Sequence, residues 1–154
     1  MSFPIENRFN AVEKVVNAAC AKGLDAEIAS YHCKLGCVLI CGAIERSVEI
    51  LISERLASRS PPQVAEFLKA YFKRGANYDC EEISQLLFKF DTAWGKKFEL
   101  FLISDERIKS GVSSCYATRN SIAHGGGQSL GPRALREYFD AAFALIAELE
   151  KILR

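Results

Sequence analysis

No stretch of this sequence stays apolar long enough to cross a bilayer. The longest nearly uncharged apolar run, Leu35 to Ile44, is about half the length that a membrane span needs. Net charge is almost absent too. The 20 Lys and Arg stand against 19 Asp and Glu, leaving +1 at pH 7. The chain as a whole therefore exerts no long-range pull on a polyanion, and any basic surface must be local. Met1 to Asn10 holds no apolar leader core, since Glu6 and Arg8 interrupt it. These absences place the protein in the cytoplasm, with no membrane partner. No Cys-x-x-Cys pair occurs among the six cysteines. Cys33, Cys37 and Cys41 recur at every fourth residue beside His32, but ligands on successive turns spread over about 12 Å of helix axis, too far for one tetrahedral ion. Cys20, Cys80 and Cys115 show no framework spacing. The six are read as reduced thiols, with no metal site and no cofactor. No segment alternates polar and apolar residues between turns, so no sheet is expected. Internal repeats and low-complexity segments are missing as well.

What is present suits one soluble domain over residues 1–154, large enough for a hydrophobic core without staples. Apolar residues recur with helical spacing in segment after segment. Pro4 to Ala21 buries Phe9, Val12, Val15, Val16 and Ala19, and Gly23 stops it. Asp25 caps a long helix that runs to Ala57. Its middle, Leu35 to Ile44, is apolar on every side and should lie at the centre of the fold. Ser58 to Gln63 is a loop, with Ser60 as the next cap and Pro61 in the first turn. Val64, Phe67, Leu68, Tyr71 and Phe72 form the stripe of a helix ending near Gly75. Asp79 or Cys80 starts a short helix through Phe90, and Trp94 to Ile103 is either a short helix or an extended turn. Asp105 or Glu106 opens another helix, Gly125 to Pro132 is a loop, and Arg133 to Leu153 is a last helix burying Leu135, Phe139, Ala142, Phe143, Ile146 and Leu149.

One short piece concentrates the chemistry. Arg119, Asn120 and His124 lie within six residues, followed by Gly125, Gly126 and Gly127, which end the helix. A permanent cation stabilises charge building on phosphorus, and an imidazole moves protons near neutrality. On a regular helix Asn120 and His124 share a face, while Arg119 is turned by roughly 140° from His124. Metal-free cleavage through a 2′-hydroxyl needs both a base and an acid. The chain offers one His here, and the other, His32, sits in a core-like helix. Either Arg119 reaches round on its long stem, or the helix loosens before Gly125, or a second subunit in a two-fold dimer completes the site and brings the missing group. Nearby, Glu45 and Arg46 follow a run of nine apolar or small residues; either they place a carboxylate at the core's edge in need of a partner, or they simply begin the solvated half of the helix. Lys96, Lys97, Arg107, Lys109, Arg133 and Arg136 give residues 92 to 137 a local positive excess suited to RNA. Gly127-Gln128-Ser129-Leu130-Gly131 matches G-x-S-x-G, but a nucleophile elbow needs a preceding strand, and here a helix precedes it.

Arg-Asn-x-x-x-His at the end of a late helix, with the earlier long helix that carries Glu45 and Arg46, resembles the HEPN superfamily. The likeness is strongest to its RiboL-PSP-HEPN subgroup and extends from Leu24 to Leu153. It implies an all-α, HEPN-like bundle of four core helices plus short extra ones. It also implies a metal-independent endoribonuclease of toxin or antiviral-defence type, cutting RNA by 2′-OH attack at a composite site on a homodimer interface. Arg119, Asn120 and His124 are then the catalytic residues, with Glu45 and Arg46 in support. RNA, a second copy and an antitoxin or other regulatory partner are the implied associates. Some members carry a Tyr two residues after the His for modification by a partner. Here that position is Gly126, so the route is not supported. The alternative is a non-catalytic HEPN module that binds RNA or a partner protein.

Overall fold

A computed structural model describes residues 1–57, 60–73, 75–126 and 129–154. It contains α1 (Phe3–Ala19), α2 (Ala26–Ala57), α3 (Pro62–Phe72), α4 (Cys80–Phe90), α5 (Thr92–Ser104), α6 (Glu106–Ala123) and α7 (Pro132–Leu153), and among the described residues no strand. Four of these helices begin on an aspartate. Asp25 Oδ1 accepts the N–H groups of Glu27 and Ile28 at 2.9 and 3.2 Å. Asp79 Oδ1 accepts those of Glu81 and Glu82, each at 3.0 Å. Asp91 does the same for Ala93 and Trp94, and Asp105 for Arg107. Each carboxylate satisfies N–H groups that the first turn leaves without intrahelical partners. The Asp91 cap is what makes Trp94 to Ile103 a helix rather than an extended turn. The expected Ser60 cap is not used. Pro61 occupies the N-cap position of α3 with no side-chain bond, and Pro62 starts the helix.

The four long helices α1, α2, α6 and α7 pack on one another, and the three short ones attach to them. α2 and α6 run in parallel and in register: Cys41 meets Cys115, and one turn later Glu45 meets Arg119, both pairs 74 residues apart. Their partner α7 comes close through small residues. A Cβ on Gly36 of α2 would lie 2.9 Å from Leu135 of α7, and one on Gly111 of α6 would lie 2.8 Å from the Cβ of Ala141. The buried core includes Phe9 and Val16 of α1, Ile40, Ile44, Val48 and Ile52 of α2, Val112 of α6, and Leu135, Leu145, Ile146 and Leu149 of α7.

α4 and α5 form a short pair whose closeness depends on Gly95. A Cβ there would lie 2.5 Å from the ring of Phe88. Because the obstacle is the ring body, the helices must separate or Phe88 must leave its place. Gly95→Ala should cost about 1–3 kcal/mol, as overpacked sites do, and lower Tm by about 3–10 °C. An unchanged melting temperature would show that Phe88 swings aside freely.

Three expectations about burial are corrected. Leu35 to Ile44 is not covered on every side: Leu35, Val38 and Leu39 are 50%, 43% and 36% exposed. Cys37, Ile40, Cys41, Ala43 and Ile44 face the core instead. An unbroken apolar run has no polar face to reveal which side is left open. Phe143 of α7 is half-exposed, though it still meets Phe9 edge-on at a centroid distance of 5.4 Å. In α3 only Leu68 and Phe72 are buried, while Phe67 and Tyr71 face outward.

Candidate active site at the end of the sixth helix

α6 stops at the motif because its end is locked by backbone bonds. The Gly126 N–H donates to Ser121 O at 2.8 Å and the Gly125 N–H to Ile122 O at 3.2 Å. Gly125 has φ +74, a left-handed conformation that suits glycine. This is the Schellman arrangement, in which the terminal carbonyls of a helix find donors in the chain that turns away. His124 is therefore the C-cap residue, its N–H bonded to Asn120 O at 3.1 Å. Its imidazole is exposed and, among the described residues, has no hydrogen-bond or ion-pair partner. Gly127 and Gln128 lie outside the described residues, and with them part of the expected glycine loop and of the G-x-S-x-G match.

Arg119 is held from three directions. Its Nη2 donates to Glu45 Oε1 of α2 at 3.0 Å and also to Asn77 Oδ1 in the α3–α4 connection. Its Nη1 donates to Asn120 Oδ1 at 3.1 Å. The guanidinium carbon sits over the Tyr116 ring, 5.7 Å from the centroid, a cation–π position. The Arg119 side chain remains 24% exposed, so the fixed cation still faces solvent. Asn120 thus spends its oxygen on Arg119. Arg119 is turned toward α2, as the helical rotation requires, and makes no hydrogen bond to His124 within the chain. Arg46 points elsewhere: it is exposed and pairs with Glu49 at 2.7 Å.

Burial pushes the Glu45 carboxyl above the usual carboxylate range, with the charge of Arg119 and its hydrogen bond opposing. The folded state therefore favours protonated Glu45. This contribution to stability is full below the ordinary value of about 4.3 and is lost as pH rises through the raised one. Glu45→Gln lacks the titration. From about pH 4 to about pH 7 its thermal stability should improve relative to wild type. A difference that stays constant across this range would mean that Arg119 fully offsets the burial. Two tyrosines border the group. Burial, followed by nearby carboxylates, pushes Tyr78 to about 12, and burial raises Tyr116 well above the ordinary phenol value. Neither can exchange protons near neutrality.

Beneath the arginine lies a cluster that sequence spacing does not suggest. Cys115 of α6 has its Sγ 3.6 Å from Cys41 Sγ and 3.8 Å from Cys37 Sγ, all three buried and free. Among the described residues no group of His, Cys, Asp or Glu is arranged to hold a metal ion, and no helix is long and apolar enough to cross a membrane. Three of the expected basic residues are committed to carboxylates. Arg107 pairs with Asp105 at 3.4 Å, Arg133 with Glu137 at 3.1 Å, and Arg136 with Glu13 at 3.4 Å. Arg107 and Lys109 stand at the far end of α6, about 15–18 Å along its axis from Arg119. Asn77 was invisible beforehand, because nothing in the local sequence links the α3–α4 connection to an arginine 42 residues later.

A family model described as RiboL-PSP-HEPN matches residues 4–154 of the chain. No curated protein matches it, and no solved structure does.

Proposed function

The chain belongs to the RiboL-PSP-HEPN family, and from that membership and the geometry of the α6 terminus we propose that it is a metal-independent endoribonuclease. We assign it to the toxin or antiviral-defence type, acting on RNA as a homodimer. The observation that carries this reading is a guanidinium fixed by Glu45, Asn77 and Asn120 yet open to solvent, on the same helix end as an exposed and uncommitted imidazole.

Arg119 takes the scissile phosphate and stabilises the phosphorane-like state, whose extra charge meets a pre-aimed donor. His124 serves as general base or general acid. Asn120, Glu45 and Asn77 keep the guanidinium oriented. The 2′-oxygen attacks phosphorus, its proton passes to a base, the 5′-oxygen leaves with a proton from an acid, and a 2′,3′-cyclic phosphate remains. One His per chain at this helix end covers one of the two proton transfers, which is why a second copy enters the proposal. The exposed residues Ile28, Tyr31, Leu35 and Val38 follow a three-then-four spacing along α2, which continues through Gly42 to Glu45. This is the spacing of a helix seam. It leads from an uncovered apolar surface to the carboxylate that holds Arg119, and we place the contact between copies there.

The test is cleavage of a labelled RNA pool in EDTA by wild type, His124→Ala and Arg119→Ala. Cyclic-phosphate ends from wild type alone support the assignment. RNA bound but uncut by all three would make the chain a non-catalytic HEPN module instead. Equal cutting by all three would move the site elsewhere.

A further inference from the structure

The thiol cluster under the arginine has no role in the cleavage steps, yet its position is specific. Cys115 lies one turn before Arg119 on α6, and Cys41 lies one turn before Glu45 on α2. The sulfur contact and the arginine–carboxylate contact are therefore consecutive rungs between two parallel helices. Cys37 and Cys115 are oriented over each other's backbone. Cys37 Sγ donates to Cys115 O at 3.4 Å, Cys115 Sγ lies 3.8 Å from Cys37 O, and the two sulfurs are 3.8 Å apart.

We propose that Cys37 and Cys115 are a redox modification site, forming a reversible disulfide that ties α6 to α2 beneath Arg119 and switches the site off. The thiolate needed to start the reaction is favoured at Cys37. Once Cys37 gives up its bond to Cys115 O, hydrogen bonding from the Cys115 thiol and the charge of Arg119 hold the Cys37 thiol below its usual range, against the effect of burial. A thiolate, rather than a thiol, is the nucleophile. With a peroxide as oxidant, the Cys37 thiolate attacks one oxygen of hydrogen peroxide, giving a sulfenic acid and hydroxide. Hydroxide takes the Cys115 proton and becomes water. The Cys115 sulfur then attacks the sulfenic sulfur, forms the S–S bond and expels a second hydroxide. That hydroxide takes up the proton which Cys37 first released. Two thiols and one peroxide thus give one disulfide and two waters. A small dithiol reverses the change, itself becoming a disulfide. Bond formation draws the sulfurs from 3.8 Å to about 2.05 Å. This pulls Cys115 toward Cys37, away from its place opposite Cys41, and the strain passes one turn along α6 to the rung where Arg119 and Glu45 meet. The effect on activity rests on the ribonuclease reading, whereas the bridge itself does not.

The experiment uses the full chain with Cys20→Ser, so that this exposed thiol forms no bridges between molecules. Wild type in that background, Cys37→Ala, Cys41→Ala and Cys115→Ala are treated with hydrogen peroxide. Each is then denatured, alkylated and mapped by mass spectrometry, and RNA cleavage is followed in parallel. The expected result is a loss of two hydrogens and a peptide joining Cys37 to Cys115, both reversed by a dithiol. Cleavage should fall 10- to 100-fold in the bridged form, the scale of about an ångström of misplacement, and recover on reduction. Cys41→Ala should still bridge. Cys37→Ala and Cys115→Ala should not, and should keep cutting RNA in peroxide. Absence of the linked peptide, a bridge that persists without Cys115, or a bridge that leaves cleavage unchanged would overturn the proposal. If reduced wild type cuts no RNA at all, the ribonuclease reading falls by itself, and the linked peptide still decides the bridge.

Discussion

Replacing His124 with alanine should reduce RNA cleavage by about 10²–10⁴-fold, the usual worth of a positioned acid or base, while leaving the melting temperature where it was. The separation of the two readouts follows from the way the residue is held. His124 contributes its backbone to the helix terminus, through the bond to Asn120 O, and alanine makes that bond equally well. Its ring is exposed, so no packing is lost. Arg119→Ala should behave differently. It removes a phosphate ligand, which costs about 10²–10³-fold where charge develops, and it also strands Glu45 at a partly buried position without its cation. A part-buried carboxylate deprived of its partner is destabilising, so this variant should also lose thermal stability. Circular dichroism melts beside the cleavage assay separate the two cases. Full activity in His124→Ala would remove the imidazole from the mechanism.

The second large effect concerns the outer face of α2. Leu35→Glu, alone or with Val38→Glu, should convert a dimer into a monomer at micromolar concentration and abolish cleavage together with assembly. A carboxylate buried in an apolar seam costs several kcal/mol, and about 3 kcal/mol is already a 100-fold loss of affinity. Both residues are open to solvent in the single chain, so the substitutions should fold normally. Light scattering after size-exclusion chromatography measures the mass directly. A wild type that is monomeric throughout would argue against a composite site. A variant that remains dimeric would place the contact on another surface.

The parts of the fold that could be read in advance are those with local causes. Asp25, Asp79 and Asp105 mark helix starts because the capping bond spans only two or three residues. Gly125 marks a stop because the left-handed turn belongs to that one residue. Position within the assembled bundle was less legible. The sequence around Leu35, Val38 and Leu39 has no polar alternation, so it could not show that this side of α2 lies open. Glu45 stood out as a charge in need of a partner, and Arg119 is that partner, at 3.0 Å. The weak point was anything defined only by docking. Asn77 reaches Arg119 from a connection with no distinguishing motif, and Cys115 joins Cys37 and Cys41 only because α6 runs parallel to α2.

The three-way grip on Arg119 should also delay the moment at which the folding domain acquires an aimed cation. Glu45 and Asn77 precede the arginine by 74 and 42 residues. Contacts of such separation require loop closure first and so mature late in folding. A nascent or partly open chain can have every helix wound and still carry an unaimed guanidinium. On the ribonuclease reading, cutting power arrives only with final closure. It should also vanish early on heating, through a local opening of α6 from α2 that costs less than melting the whole domain.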